Sequence, residues 1–117
     1  MTTRIVACLC AAWCDTCGAW RAQFERVAAA SPQFAFRWID IEDEADLLGD
    51  IDVENFPTVL VAEAGEVLFA GTLRPDPAHL QRVLDVVGSG AALAPPADLD
   101  AWRALARRLA GIKADRD

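Results

Sequence analysis

A chain of 117 residues, 54% of them hydrophobic, is the size of one domain and can fill a real core. No apolar run approaches the roughly 18 residues that cross a bilayer as a helix, so no membrane partner is expected. The net charge is −7, and acidic side chains crowd positions 40–54 (Asp40, Glu42, Asp43, Glu44, Asp46, Asp50, Asp52 and Glu54). Such a surface repels phosphate backbones and excludes nucleic acid as a natural partner; it reads as a solvated helix and loop, or as a docking patch.

The start of the chain, Ile5-Val6-Ala7-Cys8, mimics a bacterial lipoprotein cleavage box. The few residues before it leave no room for an export region, so a cytoplasmic protein is expected. Residues 4–10 form an apolar run with one charge, the pattern of a strand buried on both faces. From Cys14 the period becomes helical: Trp20, Phe24, Val27 and Ala28 recur every three to four residues, and Ser31-Pro32 ends the helix. Residues 34–41 are aromatic and β-branched, a strand composition, and residues 43–51 suit a short helix. Two further strands, 57–62 and 66–71, flank Glu63-Ala64-Gly65 as a hairpin. Asp76-Pro77 supplies an N-cap and a first-turn proline for a helix whose stripe is Leu80, Val83, Leu84 and Val87, with Gly88 in the left-handed cap.

The order is thus β-α-β-(α)-β-β-α over residues 1–88. Residues 89–97 have a linker's composition. Residues 98–117 carry a second amphipathic helix, with Leu99, Trp102, Leu105, Leu109 and Ile112 on its dry face and Arg103, Arg107 and Arg108 on its wet one. That stripe is too apolar to stay solvated. It packs on the sheet or helices of its own domain, or on a partner or second copy.

A reducing cytosol turns the four cysteines toward catalysis or metal binding rather than structural disulfides. Their spacing, C-x-C-x3-C-x2-C, fits neither common zinc nor iron–sulfur pattern, and His79, the one histidine, reads as a solvated helix residue. Cys8 and Cys10 fall on one face of the first strand. Cys14 falls at a strand-to-helix junction, where the free N–H groups of a helix start favour its thiolate, the attacking species. Cys17 lies one turn along, within reach to displace a mixed disulfide. Trp13 before the pair reads as a flat apolar contact surface or as an ordinary partly buried tryptophan.

Trp13-Cys14-Asp15-Thr16-Cys17, after an apolar strand and before a helix, resembles the W-C-x-x-C motif of the thioredoxin superfamily. Phe56-Pro57-Thr58 resembles that family's cis-proline segment. Gly65 resembles its hairpin glycine, and Gly71 the glycine ending the next strand beside the active site. The resemblance covers residues 4–88. It implies an α/β thioredoxin-like fold, a central mixed sheet flanked by helices, lacking the first β-α unit and carrying an added C-terminal helix. It also implies a thiol–disulfide oxidoreductase without cofactor or metal, in which Cys14 attacks a protein disulfide and Cys17 resolves the adduct. Trp13, Phe56, Pro57 and Gly71 would contact the substrate, with Phe56 pairing through its backbone. The partners implied are thiol- or disulfide-containing proteins and a reducing or oxidising thiol partner, with the chain itself a monomer.

The departures from the family are informative. Asp-Thr replaces the Gly-Pro of thioredoxins between the cysteines, and Asp15 puts a charge beside Cys14 that opposes its thiolate. Cys8 stands where thioredoxins bury an aspartate behind the second cysteine, Phe36 where a lysine pairs with it, and Ala22 where a proline kinks the helix. Loss of that carboxylate leaves a rival reading: a thioredoxin-fold binding or assembly module whose cysteines are not catalytic. Cys8 itself is expected to be a buried, reduced thiol of mainly structural role, the alternative being a third redox-active thiol.

Overall fold

The computed structural model describes residues 4–11, 13–49, 51, 53, 55–90, 96 and 98–116, with side chains up to residue 110. Strand β1 (Arg4–Cys10) is buried from Ile5 onward. Strand β2 (Phe34–Asp40) runs parallel to it, while β3 (Thr58–Glu63) and β4 (Glu66–Thr72) are antiparallel to their neighbours. The result is one mixed sheet in the order β2-β1-β3-β4. A parallel β1–β2 pair needs a crossover connection, and α1 (Asp15–Ala30) provides it.

Strand alternation divides β1 between two cores. Val6, Cys8 and Cys10 share one with Trp20, Phe24 and Val27 of α1 and Leu80, Leu84 and Val87 of α3 (Pro77–Gly88). Ile5, Ala7 and Leu9 share the other with Leu48 of α2 (Ala45–Leu48) and with Trp102, Leu105, Ala106 and Leu109 of α4 (Leu99–Arg116). Helices on both faces are why the β1 sequence shows no polar alternation.

Helix α4 packs on its own sheet, with Leu99 only half-buried. Arg108 latches it to α2 by donating from Nη1 to the Leu47 carbonyl at 2.8 Å. The guanidinium occupies the space beside Gly49, where an added Cβ would lie 2.8 Å from it; the residue's φ of +59° already suits glycine. The side chain of Ile112 lies outside the described residues, as do residues 91–95 and 97 of the linker and Asp50, Asp52 and Glu54 of the acidic run. Within the rest of that run, Asp40 accepts hydrogen bonds from the N–H groups of Glu42 and Asp43, and Glu44 pairs with Arg37.

Two local details sharpen the sequence reading. Asp76 caps α3, its carboxylate accepting from the Ala78 N–H at 3.0 Å. The far end differs: Gly88 stays helical and Gly90, at φ +80°, is the left-handed residue. Ser89 extends the helix because its N–H still reaches the Asp85 carbonyl and its Oγ donates to Val86 at 2.7 Å.

The β3–β4 hairpin turns on Ala64 (φ +53°) and Gly65 (φ +81°), both left-handed, as a two-residue turn of the mirror-image type demands. Alanine is strained there. Ala64→Asn should therefore raise stability by about 0.5–1 kcal/mol, since asparagine tolerates this region. A urea midpoint no higher than that of the wild type would contradict it.

Candidate functional site

The site begins where β1 hands over to α1. Cys14 is the N-cap residue, extended at φ −90° and ψ 115°. Its N–H donates to the Ala11 carbonyl at 3.0 Å, and its own carbonyl accepts the first helical bond, from Gly18 at 3.2 Å. This tight exit holds Cys14 half-exposed, whereas Cys17, one turn inside the helix, is buried at 1% exposure. Trp13 stands out from the surface at 65% exposure, so the reading of it as a partly buried tryptophan does not hold.

Cys17 is disulfide-bonded to Cys10, with their Cα atoms 5.8 Å apart, and Cys14 is a free thiol. The sequence reading pairs Cys17 with Cys14 and gives Cys10 no role; in the structure Cys10 is the residue that holds Cys17. The reason is local. Cys10 is the last residue of β1 on the face α1 covers, and the first buried side chain of a helix that starts just beyond a strand lies over that strand's end. Sequence reasoning missed Cys10. The signal was present in its alternation with Cys8 and its place at the end of the strand.

Cys8 lies two residues back on the same face, fully buried and free. Burial pushes its thiol up to about 12, and the Trp20 indole N–H opposes that shift only in part. Trp20 Nε1 is itself buried without a hydrogen-bond partner, so its contribution to Cys8 is that of a nearby dipole. Phe36, in the position of the family's lysine, packs edge-on against Phe24 with ring centroids 5.4 Å apart. Apart from that indole N–H, the core that holds Cys8 is built from apolar side chains.

Sheet register brings the second segment to the cysteines. Leu9 faces Thr58, so Pro57 falls in the next row, beside Cys10. The Phe56–Pro57 peptide bond is cis. The Pro57 carbonyl accepts from the Leu73 N–H at 2.9 Å, and Thr58 Oγ1 donates to the Asn55 carbonyl at 2.6 Å, which together fix the turn. Phe56 meets Trp13 edge-on at 5.6 Å. Among the described residues its backbone N–H and carbonyl have no backbone partner.

Trp13, Cys14, Phe56 and Pro57 therefore converge at one end of the sheet. Gly71 pairs with Val59 in the row of Cys8, two rows behind Pro57, and a Cβ there would lie 3.3 Å from the Phe69 ring. His79 takes no part: its Nδ1 accepts from the Arg74 N–H at 3.2 Å and so braces the loop before α3. Among the described residues, no cluster of three or more His, Cys, Asp or Glu side chains is arranged to hold a metal ion.

A mixed sheet with helices on both faces, and a half-exposed cysteine that starts the crossover helix at the end where Trp13 meets Phe56, define an α/β protein. The chain belongs to the thioredoxin family, whose model, Thioredoxin, matches residues 2–84. Similar solved structures include thioredoxin from Trypanosoma brucei brucei, 23% identical with a TM-score of 0.66, the match covering 74% of this chain and 76% of that one. Fasciola hepatica thioredoxin is 19% identical with a TM-score of 0.64, covering 71% and 79%. Mitochondrial thioredoxin 3 of Saccharomyces cerevisiae, in its oxidised form, is 20% identical with a TM-score of 0.61, covering 70% and 77%. At these identities the likeness shows the fold. No curated protein matches the chain. Family membership makes the general activity that of a thiol–disulfide oxidoreductase. No helix among the described residues is long and apolar enough to cross a membrane.

Proposed function

We propose that the chain exchanges disulfides with protein clients in the cytoplasm, with Cys14 as the attacking thiol and Cys17 as the resolving one, and so contributes to cell redox homeostasis. The observation that carries this is exposure: Cys14 is half-exposed, while Cys8, Cys10 and Cys17 are buried at 0–1%. A client can reach only the first. The Cys14 thiolate attacks one sulfur of a client disulfide, and the other client sulfur leaves as a thiolate and takes a proton from water. With the Cys10–Cys17 bond open, Cys17 then attacks the Cys14 sulfur and releases the client's second thiolate.

Trp13 and Phe56 offer apolar contact beside the nucleophile. The backbone of Phe56 pairs with the client strand, Pro57 faces the sulfurs, and Gly71 keeps the neighbouring strand slim. A thiol-reducing or oxidising partner resets the monomer, and no bound cofactor is required. The second reading, a binding or assembly module, draws on Cys17 being held by Cys10 rather than free.

Mixed-disulfide trapping tests both. Cys17→Ser should accumulate client adducts that migrate with the protein on non-reducing gels, and Cys14→Ser should accumulate none. Equal trapping by the two variants would overturn the roles. Absence of adducts, together with no turnover of a reporter protein disulfide by the wild type, would favour the module.

A further inference from the structure

We infer that Cys10 is a second resolving thiol, which moves the disulfide from the exposed Cys14–Cys17 couple to the buried Cys10–Cys17 pair and returns Cys14 as a free thiol. This rests on the oxidoreductase reading and extends it from two cysteines to three. Cys17 is the shared member. Cys14 precedes it by one helical turn, and Cys10 lies across from it at a Cα separation of 5.8 Å, within the span a disulfide bridges. In the structure the bond is with Cys10, and the nucleophile is free at the surface.

The exchange balances within the chain once a client disulfide has supplied the oxidation. The client's disulfide becomes two thiols and the Cys14–Cys17 bond forms. The Cys10 thiolate then attacks Cys17 Sγ, the Cys14–Cys17 bond breaks, the Cys10–Cys17 bond forms, and Cys14 leaves as the thiolate and takes up the proton Cys10 gave up. No net electrons move in that last step. The reverse step reopens the store: Cys14 attacks Cys17 Sγ and displaces Cys10.

Because Cys10 and Cys17 are each 1% exposed, neither a client nor a reducing thiol can attack their bond directly. Oxidising equivalents enter and leave only through Cys14. The released client is thereby protected from re-oxidation while the chain stays oxidised. Cys8 shares the same face but stands one step farther from the strand end, beneath Trp20, and remains a bystander.

The test labels natively folded, oxidised protein. Wild type is oxidised with a small cyclic disulfide, treated with a maleimide, and mapped by fragmentation mass spectrometry. The expected result is a Cys10–Cys17 link with label on Cys14. In oxidised Cys10→Ala and Cys10→Ser, the Cys14–Cys17 link should replace it and the Cys14 label should be lost. Reduced Cys14→Ser exposed to the same cyclic disulfide should stay unlinked at Cys10 and Cys17, because oxidising equivalents then have no entry.

An unlabelled Cys14 in the oxidised wild type would overturn the inference, with no variant needed. So would label on Cys14 in both Cys10 variants after oxidation, since the Cys10–Cys17 bond would then be a static brace. Turnover of a reporter protein disulfide is read separately. Turnover with an unlabelled Cys14 sinks the relay and leaves the oxidoreductase reading standing; no turnover with the mapped exchange intact sinks that reading instead.

Discussion

Replacing Trp102 with alanine should lower the unfolding free energy by about 3–5 kcal/mol, a large share of what a domain of this size possesses. The indole is 5% exposed and belongs to the core that α4 forms with Ile5, Ala7, Leu9, Leu60, Ala62 and Ala70. Three of those strand residues are alanines, which leave room for a tryptophan and have little side chain to move into its absence. Its Nε1 donates to Asp98 at 3.0 Å, so the substitution also removes a cap contact at the head of α4. Leu99, half-buried on the same helix, should lose less on the same change. Urea midpoints decide the matter, with size-exclusion elution followed in parallel. A midpoint close to wild type would mean that the helix adds little to the fold. An altered elution with an unchanged midpoint would mean that its apolar face serves association.

The contrast between α4 and the cysteines shows what the sequence could and could not reveal. The stripe of Trp102, Leu105 and Leu109 states that the helix must be buried, but periodicity carries no information on which sheet face receives it. That depends on α1 and α3 already covering the Cys8 side. The β1 boundaries, the Asp76 cap and the place of the hairpin were legible because each rests on local chemistry: an apolar run, a carboxylate ahead of proline, a glycine between two strand patterns. The pairing of Cys17 was not. Four cysteines within ten residues allow several partners, and the choice between Cys10 and Cys14 is made by where the strand end meets the first helical turn, a tertiary fact. The position of Gly90, rather than Gly88, at the end of α3 likewise depends on a single serine hydroxyl, which ordinary capping patterns do not weigh.

Stability should fall as pH rises above about 9, and Cys8 should be the main cause. Its thiol is pushed from 9.0 up to about 12 by burial. Below pH 9 it is protonated in the folded and the unfolded chain alike and gives no slope. Between 9 and about 12 the unfolded chain has lost this proton while the folded chain still holds it, so the native state binds more protons and each rise in pH favours unfolding. The expected slope is about 1.4 kcal/mol per pH unit, or about 4 kcal/mol across the whole window. The background is favourable: the chain has no tyrosine and its one lysine is Lys113. Cys8→Ala provides the reference. It should be less stable near neutrality, by about 1 kcal/mol for the lost sulfur, and flatter above pH 9, so that the difference between the two proteins shrinks and then changes sign. Urea midpoints from about pH 8 to pH 11, measured with the Cys10–Cys17 bond closed, give that difference directly. Parallel curves would show that Cys8 titrates in the folded chain as it does in the unfolded one. The apolar packing around Trp20 would then not isolate it, and Cys8 would be as available to exchange with Cys17 as Cys10 is.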